Sequence, residues 1–390
     1  MKWLKSKPAM QPIIIVGSGL AGYTLAREFR KLDTATPLIM ISRDDGAVYS
    51  KPMLSNAYTS NKTPESLVSA SAEKAAVDLN VTVLAHCEVL SIDVAKKTIA
   101  TTQGALQYRD LVLALGADPI RPPLTGDAVE SVLSVNDLTD YSRFRAVAEG
   151  KKSVAIIGTG LIGCEFANDL AGAGFQVDVI GPSSYPLQAL IPAVAGNALQ
   201  VALNNVNWHF GRTVTAASHA GNHAENKISL TLSDGSSVNA DVVLSAVGLR
   251  SRVDLAKAAG LKVNRGICVD DKLQTSNANI YALGDCAEIS GKVMLFILPL
   301  MQSARALAQT LAGNATPAIF PHMPVAIKTT VYPMMVLPAP ADVETNWVTE
   351  ASDDGLQIAQ LDAQGQLQGF VLTAGKTKQR MAMLARMPAL

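Results

Sequence analysis

Two runs of apolar strand, glycine-rich turn and helix, followed by a proline-bearing stretch of alternating apolar residues, predict an α/β chain: two Rossmann-like domains plus a small C-terminal α+β domain. The first run opens with Ile13-Ile14-Ile15-Val16, a short apolar segment ending in glycine, as expected of a strand buried on both faces. A helix follows from Leu20 to about Leu32, and a second strand at Leu38–Ile41. Strand, helix and strand in so short a stretch make a βαβ unit, hence a parallel sheet. The same order returns at Ser153–Ile157, Leu161–Ala173 and Val177–Ile180. Tyr108–Ala117 and Asp241–Gly248 each read as a strand running into glycine, closing one domain apiece. Asn279–Cys286 holds a further strand finishing in Gly284-Asp285, with a helix around Leu300–Ala312. Beyond Phe320, Val325–Thr329 alternates, and strand-like pieces near Gln357–Leu361 and Leu367–Leu372 complete the small domain. The expected division is 1–120 with 251–320, then 121–250, then 321–390.

A chain of 390 residues is too long for one ordinary core, and 48% hydrophobic residues supply ample material for buried sheets. Lysine plus arginine equals aspartate plus glutamate at 33 each, so no overall field favours nucleic acid or an anionic membrane. Aromatics at 5% argue against a base-stacking surface. Cys87, Cys164, Cys268 and Cys286 stand far apart, without the C-x-x-C spacing of a zinc site or redox dithiol, so no metal is expected. They read as small buried hydrophobes in a reducing compartment. The lysine-bearing N-terminus lacks an apolar run of leader length, and no stretch is long and apolar enough to span a membrane; the expected location is the cytoplasm.

The chemistry is carried by the turns. In Gly17-Ser18-Gly19-Leu20-Ala21-Gly22, Gly17 permits the tight turn, Gly19 lets backbone approach a pyrophosphate, and Gly22 allows close helix–sheet packing. The helix N-terminus then offers free N–H groups and a partial positive charge to the phosphates. Gly158-Thr159-Gly160-Leu161-Ile162-Gly163 repeats the pattern. Two dinucleotide sites imply electron exchange between them. An acid for the adenosine ribose is expected at the end of the second strand of each unit. Asp44 or Asp45 serves in the first unit, or else marks a surface turn. In the second, Gly181-Pro182-Ser183-Ser184 offers neither an acid nor an arginine cluster. Without a cation for a 2′-phosphate, NADH is favoured over NADPH.

These segments resemble the pyridine-nucleotide-disulfide reductase-type flavoproteins, in their ferredoxin-reductase-like branch. The residues that carry the resemblance are GSGLAG at 17–22, YSKPMLS at 49–55, LVLALGA at 111–117, GTGLIGCEFANDL at 158–170 and YALGDCAE at 281–288. The resemblance implies an FAD domain split in sequence, an inserted NAD domain and a C-terminal interface domain. It implies that Lys51 and Pro52 lie against the flavin ring, with Lys51 stabilising negative charge on the reduced ring. Glu165 matches the acid that pairs with this lysine, although by its position alone it is equally a capping carboxylate at a helix N-terminus. Asp285 matches the contact to the ribityl chain and Val89 a backbone contact to adenine. Ile297 and Lys328 fall where further flavin contacts are expected. Gly116, Gly248 and Gly284, at the ends of their strands, join the cofactor-binding positions.

Disulfide reductases of this class carry a C-x-x-x-x-C pair beside the flavin, whereas this chain has Lys51-Pro52-Met53-Leu54-Ser55 and no cysteine before Cys87. Electrons therefore leave singly to an external acceptor, or go to oxygen. The resemblance implies rubredoxin as that acceptor, docking transiently, with alkane hydroxylation or oxidative-stress defence as the process served. A [2Fe–2S] ferredoxin and flavorubredoxin are the alternatives, and a flavin-binding redox sensor is the alternative of a different class. Lys328, Lys376, Lys378 and Arg380 are candidate basic positions facing an acidic carrier, and equally an ordinary solvated face. A monomer is expected.

Overall fold

The computed structural model describes residues 10–220 and 227–388; the lysine-bearing N-terminus lies outside them. The chain divides into two units. The first comprises residues 10–50, 68–118 and 250–320, and the second 51–67, 119–249 and 321 onward.

The first unit is built on a five-stranded parallel sheet. Its strands run side by side in the order Ile280–Ala282, Asp110–Leu113, Ile13–Val16, Leu38–Ile41, Thr82–Leu84. Ile13-Ile14-Ile15-Val16 is buried along its whole length, as a central parallel strand covered on both faces must be. The helix Leu20–Arg30 turns Tyr23, Leu25, Ala26 and Phe29 inward, against a core shared with Leu300, Ala304 and Leu307 of the helix Ile297–Leu311. A second core on the other side holds Ile14, Ile99, Tyr108 and Cys286. The sequence reading placed the latter helix from Leu300. It starts three residues earlier, because Pro299 in the first turn costs nothing where the amide has no intrahelical acceptor. The strand expected to finish in Gly284-Asp285 ends at Ala282; Gly284, with φ +75°, then turns the chain into a short 3-10 helix, Gly284–Cys286.

The second unit repeats the arrangement. Its parallel sheet runs Val132–Leu133, Val242–Ser245, Ser153–Ile157, Gln176–Gly181, Val206–Phe210. Ser153–Ile157 is again wholly buried, and the helix Leu161–Gly172 follows. Three antiparallel strands, Val214–Ala220, Lys227–Leu232 and Ser237–Ala240, pack Ala217, Leu230 and Val238 onto Ala155, Ile157 and Ile180. The C-terminal part is a five-stranded antiparallel sheet in the order Val325–Ile327, Met334–Leu337, Leu367–Thr373, Gly355–Leu361, Asn346–Ser352. Its core is Leu337, Phe370, Leu372 and Met383. No helix among the described residues is long and apolar enough to cross a membrane.

Candidate functional site

In the first unit the fingerprint has the geometry that a phosphate cradle needs. Gly17 has φ +117°, and a Cβ there would meet the Ala114 carbonyl oxygen at 2.2 Å. A Cβ on Gly22 would lie 1.9 Å from the Gly17 oxygen, so only glycine lets helix and turn approach this closely. A Cβ on Gly19 would meet nothing within 4 Å beyond its own helix and neighbours, so the space there is open. Gly19 is the N-cap; no side chain caps the helix, and no acid stands in its first turn. Free N–H groups facing open space, beside a positive helix end, fit the pyrophosphate of FAD. Asp44 closes the site from the next strand. Its Oδ1 accepts from the Ser42 hydroxyl, from Gly46 N at 2.9 Å and from Ser18 Oγ at 3.4 Å, while Ser18 and Ser42 hydroxyls lie 2.5 Å apart. These bonds fix Asp44, rather than Asp45, against the fingerprint; Asp45 accepts from Ala47 N in the following turn. Asp285 lies in the 3-10 turn, where its carbonyl accepts from Ser251 Oγ at 2.7 Å. Gly116 has φ +73° just past its strand, and Val89 begins the strand Val89–Asp93. Ile297 belongs to an exposed apolar run, Leu295–Leu298, at a helix start that no side chain caps.

The thiols of Cys164 and Cys286 are buried. Burial pushes Cys286 up to about 11 and Cys164 to about 12.

In the second unit the fingerprint repeats the same contacts. A Cβ on Gly158, which has φ +127°, would meet Ala246 O at 2.5 Å, and one on Gly163 would meet Gly158 O at 2.1 Å; a Cβ on Gly160, at an uncapped N-terminus, would meet open space. Leu161 and Ile162 form the first turn of the helix, and Gly248, with φ +114°, lies three residues beyond the strand Val242–Ser245.

The rest of this helix does something the sequence did not announce. Glu165, Asn168 and Asp169, spaced to lie on one face, are buried in an otherwise apolar helix. Asp169 accepts from Tyr58 N and Thr59 N at 2.8 and 2.9 Å and from the Thr59 hydroxyl. Asn168 Oδ1 accepts from Val331 N at 3.2 Å, and its Nδ2 donates to Thr330 Oγ1 at 3.0 Å. Glu165, fully buried, is no helix cap. Its Oε1 accepts from Lys328 N at 3.0 Å, its Oε2 from Ser55 Oγ at 2.6 Å, and Lys328 Nζ lies 2.9 Å away. Lys328 Nζ also donates to Ser55 Oγ at 3.0 Å and to the Pro52 carbonyl, while Asn56 Nδ2 donates to Lys328 O at 2.8 Å. In this geometry Glu165 is paired with Lys328. Lys51 and Pro52 open the short 3-10 helix Lys51–Asn56, and Pro52 joins the cluster through its carbonyl. A buried carboxylate is tolerated because an ammonium and two further donors satisfy it. The three polar residues in an apolar helix were the available signal; their partners, more than a hundred residues away, were not.

Residues 11–310 match the family described as pyridine nucleotide-disulphide oxidoreductase, and residues 317–387 the one described as rubredoxin binding C-terminal domain. The chain is 49% identical to a protein of Alcanivorax borkumensis named rubredoxin-NAD(+) reductase, covering 98% of this chain and 100% of that one. A protein of the same name from Acinetobacter baylyi is 43% identical, over 98% and 99%. Among solved structures, a ferredoxin reductase from Rhodopseudomonas palustris is 25% identical, with a TM-score of 0.87 over 97% of this chain and 96% of that one. With two fingerprints of matching geometry, residues suited to FAD and NAD(H), and a C-terminal sheet in the matched carrier-binding segment, the chain belongs to the pyridine nucleotide-disulphide oxidoreductase family.

Proposed function

We propose that this protein is a rubredoxin–NAD(+) reductase, moving electrons from NADH through bound FAD to rubredoxin. The observation that carries this reading is the match of residues 317–387 to a rubredoxin-binding domain, joined to near-full-length similarity to two reductases of that name. In our reading, 1–120 with 251–320 hold FAD, 121–250 hold the nicotinamide nucleotide, and 321–390 face the carrier. When bound, FAD supplies the conversion between a hydride and single electrons.

The protein's own residues bind and orient. The free amides at Gly19 through Gly22 hold the FAD pyrophosphate and Asp44 the adenosine ribose, with Val89, Gly116, Gly284, Asp285 and Ile297 as further contacts. Gly158, Gly160 and Gly163 do the same for NADH. Lys51 supplies a positive charge to the flavin, and Glu165 holds Lys328 by two contacts, with Ser55 Oγ accepting a third from its ammonium, which makes Lys328 a second fixed cation. Lys376, Lys378 and Arg380, on the short helices that follow the last strand, present positive charge to the carrier. Four cysteines without a disulfide among the described residues support a cytoplasmic location.

The test mixes the FAD-loaded protein with NADH and oxidised rubredoxin, or with a [2Fe–2S] ferredoxin, and follows bleaching of each carrier. Rubredoxin is expected to be reduced much the faster. Reduction no faster than free flavin achieves would overturn the reading.

A further inference from the structure

The end of the strand Gln176–Gly181 departs from both usual solutions for the adenosine ribose, an acid for NAD or a nearby arginine for NADP. Gly181 is its last residue, and a Cβ there would lie 2.8 Å from Thr159 Cγ2 and Oγ1, so no acid fits. Two residues on, Ser183 Oγ meets Thr159 Oγ1 at 3.0 Å, leaving a pair of neutral hydroxyls at the edge. The sequence reading found no cation here. The structure corrects that: the strand Val206–Phe210 lies alongside and delivers Arg212 to the same edge. Gly211 N donates to Ser183 O at 3.0 Å and Arg212 N to Gly181 O at 3.2 Å.

This arginine is already engaged. Its Nε lies 2.7 Å from Asp234 Oδ2. Asp234 belongs to the turn between the strands Lys227–Leu232 and Ser237–Ala240, outside the βαβ unit. It accepts from Ser236 N at 3.0 Å and Ser236 Oγ at 2.6 Å, and the turn is tied to the arginine's own neighbour by Ser233 N to Thr213 O at 2.8 Å and Thr213 N to Ser233 Oγ at 3.2 Å. The Ser236 hydroxyl, with that amide and Arg212, holds the Asp234 carboxyl below the usual carboxylate range.

We propose that Asp234 is a specificity-determining residue that favours NADH over NADPH. It occupies the Arg212 guanidinium that the fold brings to this strand end, and it adds a negative charge that repels a 2′-phosphate. The preference is set by a turn of the inserted antiparallel sheet, in place of an acid at the strand end. This rests on the adenosine of NADH lying at the second fingerprint.

The test titrates the FAD-loaded full-length protein with 2′,5′-ADP and with 5′-AMP by calorimetry, for the parent, Asp234→Asn, Asp234→Ser and Asp234→Asn with Arg212→Ala. The asparagine keeps an acceptor for Ser236, so the turn persists. Freed, Arg212 should bind the 2′-phosphate through charge-assisted hydrogen bonds, and 2′,5′-ADP should tighten about tenfold relative to 5′-AMP in both single variants. Adding Arg212→Ala should remove that gain. A ratio of the two affinities unchanged from the parent in both single variants overturns the role of Asp234, as does a gain that survives loss of Arg212. Failure of the parent to bind 5′-AMP overturns instead the placing of the nucleotide, and the proposal with it.

Discussion

The two dinucleotide folds are alike in their glycine turns and unlike in the side chains at the ends of their second strands. In both, the first glycine has positive φ beneath a carbonyl, the third packs against the first, and the second faces open space. The strand ends differ: Ser42 and Asp44 in the first unit, with the carboxylate bound to Ser18; Gly181 and Ser183 in the second, with hydroxyls and a masked arginine. The helices differ too. The first fingerprint helix buries an apolar face, whereas the second buries Glu165, Asn168 and Asp169 to grip segments 55–59 and 328–331. The glycine turns depend on main-chain geometry and are therefore repeated; the strand ends and the second helix depend on side-chain contacts and are free to diverge.

The strongest way to break the likeness is to fill the third glycine. Gly22→Val should clash with Gly17 O and release FAD, seen as loss of bound flavin absorbance. Gly163→Val should leave flavin bound and abolish NADH binding. Each should destabilise its own unit by about 1–3 kcal/mol or more, as overpacking does. Equal flavin loss in both variants would deny the assignment of one nucleotide to each fold.

Next is the contrast between the helices. Lys328→Met leaves Glu165 buried with the Ser55 hydroxyl and one amide. We expect about 2–3 kcal/mol of lost stability in denaturant unfolding, less than for a wholly buried pair because the ammonium still reaches water. Adding Glu165→Gln should restore part of it; no recovery would show that the pair does not act as a unit.

Asp44→Ala should weaken FAD binding by roughly tenfold, on the order of 1–2 kcal/mol for hydrogen bonds to a charged group. Ser183→Ala should change NADH affinity much less, since its hydroxyl is already paired with Thr159. Equal losses, read by equilibrium titration, would erase the distinction between the strand ends.

The smallest effect near neutrality comes from titration. Burial raises Cys286 and Cys164 from 9.0 to about 11 and about 12; burial, then the charge of Asp44, raises Tyr23 from 10.0 to about 12. The unfolded chain releases these protons first, so stability should fall as pH rises from about 9 to 12, with no contribution from these groups below that window. Urea midpoints measured from pH 8 to 11 check this. A flat profile above pH 9.5 would contradict the burial of these groups.

Much of the architecture was legible because buried parallel strands and fingerprints are local signals. Ile13–Val16 and Ser153–Ile157 announce themselves as short apolar runs, and the glycines follow at fixed spacing. The start at Ile297 was obscured by Pro299, which marks a first turn as readily as a break. Asp44 could be proposed but not chosen over Asp45, since the choice depends on the hydroxyls of Ser18 and Ser42.

The sequence by itself determined two phosphate-binding turns and the absence of any cysteine before Cys87, because both depend on residue identity along the chain. Tertiary structure alone decided that Glu165 holds Lys328, and that Arg212 reaches the end of the strand Gln176–Gly181 already paired with Asp234. Those pairings join residues distant in sequence, and a charge acquires its partner only when folding sets the distance between them.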